Sequence, residues 1–204
     1  MISATPHSPT PEIALRHVFF ITHPEVVVDP GRLVPRWHLS DRGIARMKTF
    51  AASPEMQAVT AIWSSDETKA IEAAGILASA LGLPSRIHTD LHENDRSATG
   101  FLPPAEFEDL ANQFFAAPGV SVRGWERAID AQRRVRTAFE AILAEEPTGD
   151  IAILAHGGVG TLLLCHLIGD PITRAHDQPS QGHYWTYAPE TGTLVHPWRP
   201  IAPR

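Results

Sequence analysis

The sequence has one cysteine, Cys165, in 204 residues. No disulfide can close within the chain, a usage that suits a reducing compartment, and a cytoplasmic location is expected. Long hydrophobic runs are also missing. No stretch approaches the roughly 20 residues of a membrane span, so no membrane partner is expected. An excess of positive charge is absent too: 17 Lys and Arg face 23 Asp and Glu, a formal net charge of −6. An acidic chain gains nothing from a general nucleic-acid or membrane-surface role, although a local positive pocket for a small anion stays open. The opening segment, MISATPHSPTPEIALRH, lacks the basic start and greasy stretch of a signal peptide. Its Pro and Ser content marks residues 1–12 as a loose arm. The composition is 43% hydrophobic and 20% charged, near globular averages. One α/β domain over residues 13–204 is therefore the expectation, long enough to bury a self-sufficient core.

Apolar periodicity organises that domain. A strand is predicted at about His17–Thr22, then a Pro-rich loop, then a helix over DRGIARMKTFAAS with Ser40 as its N-cap. VTAIWSS (59–65) reads as a buried strand. DETKAIEAAGILASALG reads as a helix, with Ile71, Ala74, Leu77 and Leu81 at helical spacing and Gly82 ending it. SRIHT (85–89) is a short strand, PAEFEDLANQFF a helix, and Trp125–Glu145 a long amphipathic helix. DIAILAH is a strand, GGVGTLLLCHLIG a helix, and HYWTYAPETGTLVHPW a hairpin. Strands alternating with helices imply a three-layer α/β/α architecture around a largely parallel sheet. In such sheets ligands bind beyond the carboxyl ends of the strands.

Three of those strand ends carry chemically capable residues. The first ends at Thr22-His23. The second ends at Ser64-Ser65, with Lys69 one turn into the next helix. DIAILAH ends at His156, followed by Gly157 and Gly158 at a helix N-terminus, where free N–H groups favour an anion. Leu91-His92-Glu93-Asn94-Asp95 brings acids to the same edge.

In order and spacing these segments resemble the histidine phosphatase superfamily, the phosphoglycerate mutase-like fold. FFITHPEV stands where the family has a strand ending in Arg-His-Gly, and Leu39-Ser40-Asp41-Arg42-Gly43 matches its Leu-Ser-x-x-Gly. IWSSDETKA matches a Ser-Ser strand with an arginine four residues on, Leu91-His92-Glu93 a Leu-x-Glu, and ILAHGGVG a His-Gly-Gly. The resemblance spans about residues 17–160. It implies a phosphatase that works through a phosphohistidine on His23. His156 would contact the phosphoryl oxygens, and Glu93 would give a proton to the leaving oxygen. Thr22, Lys69 and Gly157 would border the phosphoryl group, and no cofactor or metal is called for. The other ring nitrogen of His23 should be held by a backbone carbonyl, which fixes the tautomer. The substrate would be a phosphorylated small molecule or a phosphoprotein, chosen by a pocket-covering insert at about residues 96–122. Phe101, Phe107, Phe114 and Phe115 there fit either an apolar wall or the core.

The departures from the family are specific. Thr22 and Lys69 stand where the family has arginines, and Pro24 replaces a glycine. An arginine fork grips two phosphate oxygens; a lysine is a point charge and a threonine carries none. Arg32 and Arg36, in the loop between His23 and Ser40, are the candidates to restore positive charge. Arg16 and Arg96 also lie near matching segments, Arg16 at the wrong strand end. Two other function classes stay open. One is a pseudoenzyme that binds a phosphorylated or anionic ligand without turnover. The other is a metal-dependent hydrolase using His88, Asp90, His92, Glu93 and Asp95, with the first three on one face of a strand. A nucleotide-binding P-loop is unsupported, because GGVGTLLL lacks the Lys-Ser/Thr ending. Arg133, Arg134 and Arg136 read as a solvated helix face, and Cys165 as a buried small hydrophobe.

Overall fold

The computed structural model describes residues 15–203, so the proposed arm at residues 1–12 lies outside them. Strand β1 (Val18–Thr22) is buried along its whole length, as its unbroken apolar run requires of a central strand. Around it the described residues form one six-stranded sheet, ordered β3-β2-β4-β1-β5-β6. β2 (Val59–Ser64), β3 (Ser85–Ile87) and β4 (Asp150–Ala155) join β1 in a parallel block. β5 (His183–Ala188) and β6 (Thr193–Pro200) form the expected hairpin, with β5 antiparallel to β1.

Alternation along the strands builds the three layers. Phe19 and Ile21 share one core with Met47 and Phe50 of α1 (Asp41–Ala51) and Ala73, Ala74 and Leu77 of α2 (Thr68–Leu81). Val18 and Phe20 face the other way. They pack with Val135, Phe139 and Ile142 of α4 (Ala128–Glu145) and Val159 and Leu163 of α5 (Gly157–Leu167). A third cluster joins Leu110, Phe114 and Phe115 of α3 (Pro104–Ala116) to Trp125, Ala131 and Leu162.

Several local expectations shift. The buried stripe of α2 is Lys69, Ala70, Ala73, Ala74 and Leu77, while Ile71 is exposed. Small alanines let the helix sit close to the sheet and turn Lys69 inward. Helix α4 starts at Ala128, three residues later than predicted. Trp125 ends a short 3-10 turn instead, its indole N–H donating to Thr99 Oγ1. Strand β3 stops at Ile87, because Thr89–Leu91 forms a 3-10 turn capped by the His88 side chain. His88, Asp90 and His92 therefore do not alternate along a strand, and the one-face geometry behind the metal reading is lost. Among the described residues no group of three or more His, Cys, Asp or Glu side chains is arranged to hold a metal ion. Arg134 is not part of a solvated face. Its guanidinium donates to Glu126 and to the carbonyls of Asp90 and His92, tying down the turn that leads to Glu93. Cys165 is buried as expected.

The Leu-Ser-x-x-Gly segment holds the loop beyond His23. Ser40 caps α1 by accepting from Gly43 N (3.1 Å), and its hydroxyl donates to Glu25 O. A Cβ at Gly43 would lie 2.2 Å from that same carbonyl oxygen, so only glycine allows the approach. Gly43→Ala is expected to lower stability by about 1–3 kcal/mol, as overpacking does, and the melting temperature by roughly 2–10 °C. Calorimetry checks this; an unchanged transition would show that the loop moves aside freely.

Candidate active site

The carboxyl ends of β1, β2 and β4 meet at a cavity of about 510 Å³, whose lining includes His23, Lys69, Glu93, Arg96, Gly157 and Gln178. His23 is fixed at the end of β1. Its N–H donates to Ala155 O of the neighbouring strand, and its carbonyl accepts from Gly182 N. Nδ1 lies 2.9 Å from Pro24 O. A carbonyl only accepts, so Nδ1 carries the hydrogen and Nε2 keeps its lone pair. The proline after the histidine thus supplies the carbonyl that orients the ring.

The ring of His156, at the start of α5, lies edge-on to His23 with centroids 5.3 Å apart. Its Nε2 is 2.7 Å from Ser65 Oγ, and Ser65 Oγ accepts from Glu67 N (3.3 Å). Ser65 therefore positions His156. His156 Nδ1 is buried and has no hydrogen-bond partner among the described residues.

Lys69 and Glu67 form a buried ion pair. Lys69 Nζ also donates to Val34 O (3.0 Å), which leaves one ammonium N–H uncommitted. Glu67 was not singled out in the sequence, where an acid at a predicted helix start reads as a solvated cap. Burial would raise its pKa. His156, Lys69 and the bonds it accepts from Lys69 and the Glu93 N–H outweigh that, holding it below the usual carboxylate range.

Glu93 borders the cavity with an unexpected set of bonds. Oε1 accepts from Asn94 N and Val159 N, and Oε2 from Gly158 N. The free N–H groups of the α5 N-terminus are thus already taken by the Glu93 carboxyl. Gly158 has no side chain because a Cβ there would lie 2.7 Å from Glu93 Oε1.

Thr22 Oγ1 is turned away, 2.6 Å from Gln178 Oε1, and accepts from His183 N. Gln178 Nε2 in turn occupies the place a Gly157 side chain would fill, 2.2 Å from a Cβ built there. Arg32 and Arg36 are exposed and outside the lining; Arg32 pairs with Asp29 at 3.1 Å. The cavity holds Arg96 and Arg174 instead. Arg174 is committed to Glu108, Asn112 and Asp177. Arg96 has no ion pair among the described residues; its guanidinium lies over Phe107 (4.9 Å) and Trp125 (5.7 Å).

Burial depresses the His23 pKa from 6.5 to about 4; Lys69 and Arg96 push the same way, against the Pro24 carbonyl and Glu67. Burial likewise holds His156 well below its ordinary value, against the pull of Glu67. Both rings are thus neutral near pH 7. Because the folded pKa of His23 lies below the unfolded one, its contribution to stability is complete above about pH 6.5. That contribution is lost as pH falls toward about 4. Between about pH 7 and 4.5, wild type is expected to lose roughly 2–3 kcal/mol more stability than His23→Gln. Denaturant titrations at the two pH values measure it, and equal losses would contradict the neutral buried ring.

Two neutral histidines packed edge to face, a lysine, an arginine without an ion pair among the described residues and a carboxyl, gathered at the carboxyl ends of parallel strands, define a site for an anionic group on a three-layer α/β protein. The comparisons agree with that class. The sequence matches the family profile described as histidine phosphatase superfamily (branch 1) over residues 34–187, and the chain belongs to this superfamily. The match begins after His23. No curated protein matches the sequence. A mycobacterial glucosyl-3-phosphoglycerate phosphatase, solved with VO3, has TM-score 0.74 at 21% identity, over 90% of this chain and 96% of that one. Bacillus stearothermophilus YhfR has TM-score 0.73 at 18% identity, over 92% and 96%. Entamoeba histolytica phosphoserine phosphatase, in complex with 3-phosphoglyceric acid, has TM-score 0.74 at 13% identity, over 91% and 98%. At these identities the likeness concerns the fold.

Proposed function

We propose that this chain is a metal-independent phosphohydrolase that cleaves small phosphomonoesters through a phosphohistidine on His23. The observation that carries the proposal is the mounting of His23: Nδ1 on the Pro24 carbonyl, Nε2 without a hydrogen-bond partner among the described residues, and the ring on the cavity wall. A nucleophile needs that unprotonated nitrogen. The mycobacterial and Entamoeba relatives, phosphatases by name, support a small-molecule substrate.

His23 Nε2 attacks phosphorus while the P–O bond to the leaving group breaks. Glu93, in its protonated form, gives its proton to the leaving oxygen; among the described residues Oε2 accepts one bond, from Gly158 N, which leaves a position open. Water then attacks phosphorus, the P–N bond breaks, the water's proton returns to Glu93, and inorganic phosphate leaves. His156, fully buried behind His23 and held at Nε2 by Ser65, backs the nucleophile's ring. Arg96 and the remaining Lys69 N–H supply the positive charge that Thr22 does not. Arg96 takes the part first given to Arg32 and Arg36.

A second reading, ligand binding without turnover, is favoured by one observation: Glu67 neutralises Lys69 in a buried pair. Incubation with an aryl phosphate from about pH 5 to about 8, with and without chelator, separates the two. A phosphoenzyme that survives a basic quench and decays in acid is expected. Tight binding with neither phosphoenzyme nor turnover would favour the second reading.

A further inference from the structure

The cavity lining combines two kinds of surface. His23, Lys69 and Arg96 make one. The other is an apolar, largely aromatic set, Trp37, Phe101, Leu102, Phe107 and Phe115, joined to the first by Arg96, whose guanidinium lies over Phe107 at 4.9 Å. Trp37 and Phe101 come from separate loops and meet with ring centroids 5.5 Å apart. Trp37 is anchored by its indole N–H to Asp29 O (2.8 Å). Phe101 is 37% exposed, a large aromatic left open where core packing would have buried it.

Charge narrows the choice further. A substrate with a second anionic group needs a second uncommitted cation. Arg174 is the remaining arginine of the lining, and its guanidinium is shared among Glu108, Asn112 and Asp177. Glu108 and Asp177 also line the cavity and would repel a carboxylate brought near them. An uncharged flat group slides along aromatic walls with no desolvation cost and gains apolar burial.

We infer that the site takes phosphomonoesters whose leaving group is uncharged, apolar and planar, an aryl group or its equivalent, and discriminates against substrates with a second anionic group. This rests on the proposed phosphohydrolase site, but binding tests it without turnover. The probes are 1-naphthyl phosphate, glycerol 3-phosphate and 3-phosphoglycerate, titrated calorimetrically into the full-length His23→Ala variant. 1-Naphthyl phosphate is expected to bind about tenfold or more tightly than either of the others. Phe101→Ser on the same background is expected to cut that ratio severalfold. Phe107→Ser, at a less exposed ring of the same lining, is expected to cut it too. Equal or tighter binding of glycerol 3-phosphate or 3-phosphoglycerate overturns the inference. So does a ratio that survives both serine variants, or no binding of any probe. Failure of the chemistry has a different signature: 1-naphthyl phosphate binds with the expected preference, yet wild type does not hydrolyse it.

Discussion

Replacing His23 with alanine is expected to remove aryl phosphate hydrolysis by on the order of 10⁴–10⁶-fold, as loss of a covalent nucleophile does elsewhere. No neighbour can substitute. His156 is the nearest second imidazole, but its Nε2 is engaged with Ser65 and its ring is fully buried. The fold should survive, because the backbone of His23 stays bonded to Ala155 and Gly182. Circular dichroism is the control. Imidazole added to the buffer should restore part of the rate by filling the vacated space. Residual activity within about tenfold of wild type would remove His23 from the mechanism.

The second large effect is expected at Arg96. Arg96→Met keeps a long unbranched side chain over Phe107 and Trp125 but removes the charge. A hydrogen bond to a charged group is worth roughly 1.5–3 kcal/mol. A forked pair to a phosphoryl group should then cost about 10²–10⁴ in kcat/KM. Arg96→Lys should recover only part, since a point charge replaces a planar donor. Inorganic phosphate or vanadate inhibition should weaken in parallel. If Arg96→Met holds kcat/KM within about threefold, Lys69 alone carries the phosphoryl charge.

Much of the architecture was legible because burial writes itself into periodicity. VFFIT and DIAILA are apolar without a break and became neighbouring parallel strands. Ser40 and Gly82 marked a helix start and a helix end through capping chemistry, and the Pro-Glu-Thr-Gly turn marked the hairpin. His23, Glu93 and His156 stood out because strand ends of a parallel sheet point to one edge. What stayed hidden depends on partners distant in sequence. Glu67 looks like a solvated acid until Lys69 and His156 are seen beside it. Gln178 lies in a segment with no periodicity and no motif, so nothing pointed to its place against Gly157. Arg96 was visible as a cation, but only the path of its loop over Phe107 and Trp125 brings it to the cavity while Arg32 and Arg36 stay outside.

Thr22, Gln178 and Gly157 form an interlocked set. The Thr22 hydroxyl bonds Gln178, and the Gln178 amide fills the space a side chain at Gly157 would need. An arginine placed at position 22 alone would meet Gln178. An arginine placed at position 69 would still face Glu67. Adding guanidinium charge to this pocket therefore needs a compensating change at a contacting residue, so these positions couple. A library built to do so should vary them in pairs, because single-site scans will rank useful replacements as harmful.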